Sequence, residues 1–150
     1  MFKNMKKQLK NEKGLTLIEL LAVIVILAIV AAIAIPAIGN IITNSKYSTV
    51  KADAVNVLNA AQLYYLDNPE AEGDEVIVSD LGGPSGYLEN PGSIPTDATI
   101  SKERPHKLST DPIEVATGKN ITFSEATIDG INKDDLKGSE IPAAGHTIDE

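Results

Sequence analysis

The feature that most constrains this chain is an apolar run from Leu20 to Ile42. Asn40 is the only polar side chain within it, and Pro36 and Gly39 are the only residues that weaken a helix. As a helix rising ~1.5 Å per residue, the run would be roughly 35 Å long, enough to cross the ~30 Å hydrocarbon core of a bilayer. The sequence therefore predicts a membrane-spanning helix near the N-terminus.

A basic segment precedes the apolar run. Glu12 is the only acidic residue beside its lysines, which are Lys3, Lys6, Lys7, Lys10 and Lys13. Because positively charged flanks stay on the cytoplasmic side of a membrane, this segment predicts a cytoplasmic N-terminus. An ordinary secretory signal is the alternative, and the small residues 31–34 would suit its cleavage. Against it, the apolar run exceeds the usual length of about 7–15 residues, and Glu19 interrupts its start.

Glu19 is the residue that a simple membrane anchor does not explain. A carboxylate at the centre of a bilayer helix costs about 2.5–3.5 kcal/mol, and less near the end of the span. A positive charge is the most economical partner for it. If the chain were cut after Gly14, Leu15 would carry a new α-amino group, which is cationic at or below its pKa of ~7.7–8. That amine on one subunit could pair with Glu19 on another.

These residues resemble the class III signal of type IV prepilins and pseudopilins. The shared pattern is a basic leader ending in Gly14, a hydrophobic residue, Glu19 five places after the glycine, and a long apolar helix; Pro36 also matches a helix-loosening proline of this family. The resemblance implies cleavage after Gly14 by a prepilin peptidase, N-methylation of Leu15, and alignment of subunits by Glu19. Leu15 departs from the family, where phenylalanine is commonest. The pattern covers about residues 10–36.

The resemblance also implies a fold and an organisation. The expected fold class is α+β, with a long kinked N-terminal helix packed against a small antiparallel β-sheet domain. The predicted divisions are a leader at residues 1–14, a transmembrane and polymerisation helix at 15–42, and an exported domain at 43–150. The implied partners are other copies of the chain, the peptidase and N-methyltransferase, and the assembly platform with its ATPase. The precursor would lie in the cell membrane and the assembled filament at the cell surface.

The helix should bend near its middle and then leave the membrane. Pro36 removes one helical hydrogen bond and Gly39 follows within a turn, which predicts a kink or loosened segment around residues 32–39. Beyond it the helix should continue to about residue 66, since residue 68 precedes a proline. Its buried face is predicted by apolar residues at spacings of three and four: Val50, Ala54, Val57, Leu58, Ala61 and Tyr65.

The remainder of the chain has short apolar runs between turn residues. Residues 75–78 are typical of a strand or a short helix. In residues 113–117 and 121–124, apolar and polar side chains alternate as they do in strands. The two segments lie on either side of Gly118, which predicts a hairpin. Residues 126–128 could add a third strand, and the last dozen residues are expected to fray.

Composition and charge restrict the function classes. The leader is basic, whereas residues 15–150 carry eight Lys or Arg against twenty Asp or Glu, which on average repels nucleic acid and anionic lipid. The chain has no cysteine, which excludes thiol catalysis and favours a Gram-positive source. No catalytic motif is present, so we expect no enzyme activity and no cofactor. Residues 129–140 have the length of a calcium-binding loop. However, Ile131 and Lys133 occupy two of its ligand positions, and Asp134 occupies its glycine position. At most a looser calcium site is therefore expected.

One local basic cluster stands out in the acidic part. Its cations are Lys102, Arg104 and Lys107. We expect either a solvated loop or a contact for DNA, a surface or an acidic neighbouring subunit. The two histidines, His106 and His146, are expected to be solvated loop residues.

The resemblance thus implies a structural subunit of a type IV pilus or a related filament. The alternative within the same family is a competence or secretion pseudopilus subunit, acting in DNA uptake or protein export. The alternative from another class is a membrane-tethered binding domain that never polymerises.

Overall fold

The structure is a computed structural model that describes the backbone of residues 2–150 and the side chains of residues 16–84 and 86–150. It contains two compact units, Met1–Gly39 and Asn40–Glu150. The helices and strands in chain order are α1 (Phe2–Asp67), β1 (Glu75–Ile77), α2 (Val78–Leu81), β2 (Thr99–Ser101), β3 (Leu108–Ser109), β4 (Ile113–Ala116), β5 (Lys119–Phe123), α3 (Ile128–Lys133) and β6 (His146–Ile148), with 3₁₀ turns at Gly83–Ser85 and Gly138–Glu140.

The first unit consists of the N-terminal part of α1. The helix continues through Pro36 and Gly39 without interruption. The kink predicted there stays a prediction. Among residues with described side chains, α1 is the one helix long and apolar enough to span a membrane. Its most apolar stretch has a mean hydropathy of 3.1, and none of that stretch is buried.

The second half of α1 forms one wall of the core of the second unit. The predicted apolar stripe is confirmed, because Ala54, Val57 and Ala61 are fully buried and the other stripe residues are nearly so. The helix ends at Asp67, and the Asn68 N–H and side-chain amide both donate to the Tyr64 carbonyl. The end is therefore one residue beyond the predicted position.

Two three-stranded sheets pack beside α1. The first has the antiparallel order β1-β2-β3, and the second has the order β4-β5-β6. The predicted hairpin is confirmed as β4 and β5, where Ala116 pairs with Lys119 across a turn at residues 117–118. Gly118 has a φ of 71°, which glycine adopts without strain. The α+β fold class is confirmed, although the second sheet is mixed, because β6 runs parallel to β5.

Two predictions for the C-terminal part are wrong. Residues 126–128 do not form a third strand of the hairpin sheet. Ala126 instead makes an isolated bridge to Leu108, and α3 begins at Ile128 after the Thr127 hydroxyl accepts from the Gly130 N–H. The tail is also not frayed, since β6 pairs with β5 and Ile148 is buried. Strand β6 has only three residues, and its partner strand lies about 25 residues upstream. The local sequence therefore does little to predict this pairing.

Candidate processing and assembly site

Glu19 lies on the apolar part of α1. It is the only ionisable residue between Thr16 and Ile42, and its side chain is exposed. No side chain that the structure describes forms an ion pair with it. A single subunit therefore offers this carboxylate no described cation.

The apolar side chains around Glu19 are exposed on every side of the helix. The large apolar residues between positions 17 and 42 have exposed fractions of 49–70%. Consecutive residues such as Leu20 and Leu21 are equally exposed, so the surface is not a stripe that one neighbouring element could cover. A helix of this kind requires lipid or other helices all round it.

Comparison with known families decides what this segment is. Residues 9–35 match the family described as "Prokaryotic N-terminal methylation motif". The chain carries a prepilin-type N-terminal signal. This methylation motif supports a pilin-like or pseudopilin-like precursor, a class of structural subunits. Comparison with curated proteins and with solved structures gave no significant match.

The methylation motif contains three of the predicted functional residues and stops just before a fourth. Gly14, Leu15 and Glu19 lie within it, and Pro36 follows its last residue. The backbone of all four belongs to α1. The side chain of Leu15 lies outside the described residues, and the processing role of the Gly14–Leu15 pair stays a prediction.

The basic cluster forms the loop between β2 and β3. Lys102 Nζ donates to the Ala71 carbonyl at 2.8 Å, and Lys107 forms ion pairs with Glu125, at 3.7 Å, and with Glu150. Arg104 is exposed. Two of the three predicted contact residues are thus engaged within the domain, and the predicted surface contact depends mainly on Arg104.

The prediction that both histidines are solvated is wrong. His106 Nδ1 donates to the Ser101 carbonyl at 2.9 Å, and its ring stacks on Tyr65 with centroids 5.1 Å apart. His146 is paired with Asp134. Both rings are half-buried because each packs against α1. His106 joins the loop between β2 and β3 to this helix, and His146 joins β6 to it. Among the described residues, no group of three or more His, Asp or Glu side chains is placed to hold a metal ion.

Sequence patterns did not reveal a polar cluster centred on Asp134, the residue directly after α3. Its carboxylate accepts from Tyr47 Oη, from Lys51 Nζ at 3.1 Å and from His146 Nε2 at 2.7 Å. Burial alone would raise the pKa of Asp134, but these hydrogen bonds outweigh it and hold that pKa below the ordinary value of 3.8. The cluster joins α1, α3 and β6, and so fixes three distant segments together.

Asp134→Asn should destabilise the second unit by about 2 kcal/mol at neutral pH, because it removes the charge that three donors share. Since the folded-state pKa is lowered, the stabilisation is fully present above pH 3.8 and is lost as the pH falls through the folded-state value. Denaturant unfolding of the full chain in detergent at several pH values measures both effects. The two proteins should converge in stability in acid, and an equal difference at pH 7 and pH ~2 would contradict the assignment.

Proposed function

We propose that this chain is the precursor of a structural subunit of a type IV pilus or a related filament, cut after Gly14 and N-methylated at Leu15. The observation that supports this most is the methylation motif at residues 9–35. The exposed apolar surface of α1 with its single carboxylate adds independent support. We place the leader at residues 1–14, the spanning and polymerising segment at 15–42 and the exported domain at 43–150.

The apolar segment has two successive surroundings in this proposal. It first spans the membrane, where lipid covers its surface. It then leaves the bilayer and packs against the same segment of other subunits, so its apolar surface remains buried. Contacts of this kind join different surfaces of successive copies and do not close, and the product is a filament. The assembly platform and its ATPase supply the work of moving each subunit.

Glu19 aligns the subunits during this transfer. Among packed apolar helices an unpaired carboxylate is strongly destabilising, and pairing removes most of that penalty. The new amine of Leu15 lies only four residues from Glu19, near the same end of the segment. A neighbouring subunit displaced along the filament axis therefore presents its amine to this carboxylate. Only the subunit in correct register satisfies the pair.

Gly14→Val should leave the leader attached, because it places a branched side chain directly before the proposed cut site in place of glycine. The measurement is the apparent size of the membrane protein on a gel, where the variant should run as the larger precursor. Gly39→Val is the matched control, since a Cβ at position 39 meets nothing within 4 Å, and it should be processed normally. Normal processing of Gly14→Val would contradict the proposed cleavage site.

A further inference from the structure

The 3₁₀ turn Gly138–Glu140 packs against the part of α1 that directly follows the apolar run. The Ser139 N–H donates to Asn44 Oδ1 at 2.7 Å. Gly138 lies so close to the helix that a Cβ there would be 2.6 Å from the Thr43 carbonyl oxygen. Thr43 and Asn44 are the first two residues after Ile42, the last apolar residue. The turn is therefore fixed within about one helical turn of the end of the run.

Lysines are concentrated at this end of the second unit. Lys46 on α1 and Lys137 beside the turn are exposed, and neither forms an ion pair within the part of the chain whose side chains are described. Lys119 Nζ reaches the Gly138 carbonyl at 3.4 Å. Asp135 and Glu140 are the exposed acids nearby. This end therefore carries a small positive excess on a domain that is otherwise strongly acidic.

The length of the apolar run places these lysines relative to a bilayer. The polar headgroup layer on each side of the hydrocarbon core is roughly 5–7 Å thick, which corresponds to about four residues of helix. If the run ending at Ile42 fills the hydrocarbon core, residues 43–46 lie in the headgroup layer. The turn that contacts Thr43 and Asn44 then lies in the same layer, with Lys137 next to it.

We propose that Lys46, Lys137 and the turn Gly138–Glu140, together called the basal surface, bind anionic phospholipid headgroups while the precursor is held in the membrane. This inference rests on the proposed function, because it requires the apolar run to span the bilayer. Each lysine close to an anionic membrane surface favours the bound state about five-fold. Two lysines give a contact strong enough to hold the domain on the membrane, yet weak enough to be broken when the subunit is extracted.

The absence of cysteine allows a direct test with the full chain. A fluorophore is attached to Glu140→Cys in the basal surface, or to Glu72→Cys beyond the far end of α1 as the reference position. The helix between Thr43 and Asp67 separates the two by roughly 35 Å. Each protein is reconstituted into vesicles of phosphatidylcholine, alone or with phosphatidylglycerol, that contain a headgroup-attached quencher. Insertion is first verified by retention of the chain in the membrane after an alkaline wash.

Quenching at position 140 should exceed that at position 72 and should increase when phosphatidylglycerol is added. The double substitution Lys46→Gln with Lys137→Gln should lower the ratio of bound to free basal surface by about 25-fold. Lys102→Gln with Arg104→Gln removes the same charge from the distant loop between β2 and β3 and should leave quenching unchanged. High salt should weaken the contact in the unsubstituted protein.

Equal quenching with and without phosphatidylglycerol would overturn the anionic contact, and so would equal effects of the two double substitutions. Loss of the chain from the membrane in the alkaline wash would instead overturn the proposed function as well. Because the wash precedes any quenching measurement, the two failures are distinguishable.

Discussion

Glu19→Ala should leave the precursor cut to its normal size but lower its incorporation into filaments at least ten-fold. Under the proposed function, the substitution leaves the Leu15 amine of each subunit without an anionic partner among packed apolar helices. Breaking a buried ion pair in this way costs about 3–5 kcal/mol, which is more than two orders of magnitude in an association constant. Under the proposed function cleavage should be unaffected, because the cut after Gly14 takes place in the membrane before subunits pack together. Filaments sheared from cells are compared with total processed subunit.

The isosteric variant Glu19→Gln separates charge from shape, and it should fail almost as completely as alanine. Leu17→Ala is a control of the opposite kind, because it removes apolar volume from the same exposed surface and leaves the charge in place. It should reduce filament yield far less. Normal filament yield from either Glu19 variant would contradict the pairing role.

Gly138→Ala should destabilise the second unit severely, lowering its Tm by roughly 10 °C or more. The added Cβ would lie 2.6 Å from the Thr43 carbonyl oxygen and 2.7 Å from Tyr47 Cβ. Both obstacles belong to the rigid helix α1, so the turn itself must move away. That movement breaks the hydrogen bond between Ser139 and Asn44 and disturbs the contact of Lys119 with the turn.

Thermal unfolding of the full chain in detergent measures this effect. Gly39→Ala is the matched control, because its Cβ meets nothing within 4 Å and alanine favours a helix over glycine by roughly 0.5–1 kcal/mol. The control should keep or slightly raise the Tm. A Gly138→Ala protein that melts within two or three degrees of the unsubstituted one would show that the turn does not press against α1.

The features that the sequence predicts best depend on short-range periodicity. The apolar run, the buried stripe of α1 and the β4–β5 hairpin each need only neighbouring residues to be recognised. The end of α1 is equally local, since Pro69 restricts the backbone of Asn68. The methylation motif belongs to the same class, because all of its chemistry lies within residues 9–35.

The Asp134 cluster and β6 could not be predicted in the same way. Asp134 meets Tyr47 and His146 only after three elements have packed, and their spacing in the sequence has no periodicity. The position of His106 in a Pro-rich loop predicts a solvated ring, yet Tyr65 from a distant part of α1 stacks on it. Long-range packing therefore determines what these polar residues do.

The intact mass of the protein recovered from the cell surface tests the central claim most directly. The proposed function predicts the mass of residues 15–150 plus one methyl group, with the methyl group located on the Leu15 amine by fragmentation. A protein that retains Met1, or one cut near Ala34 as by an ordinary signal peptidase, would contradict it.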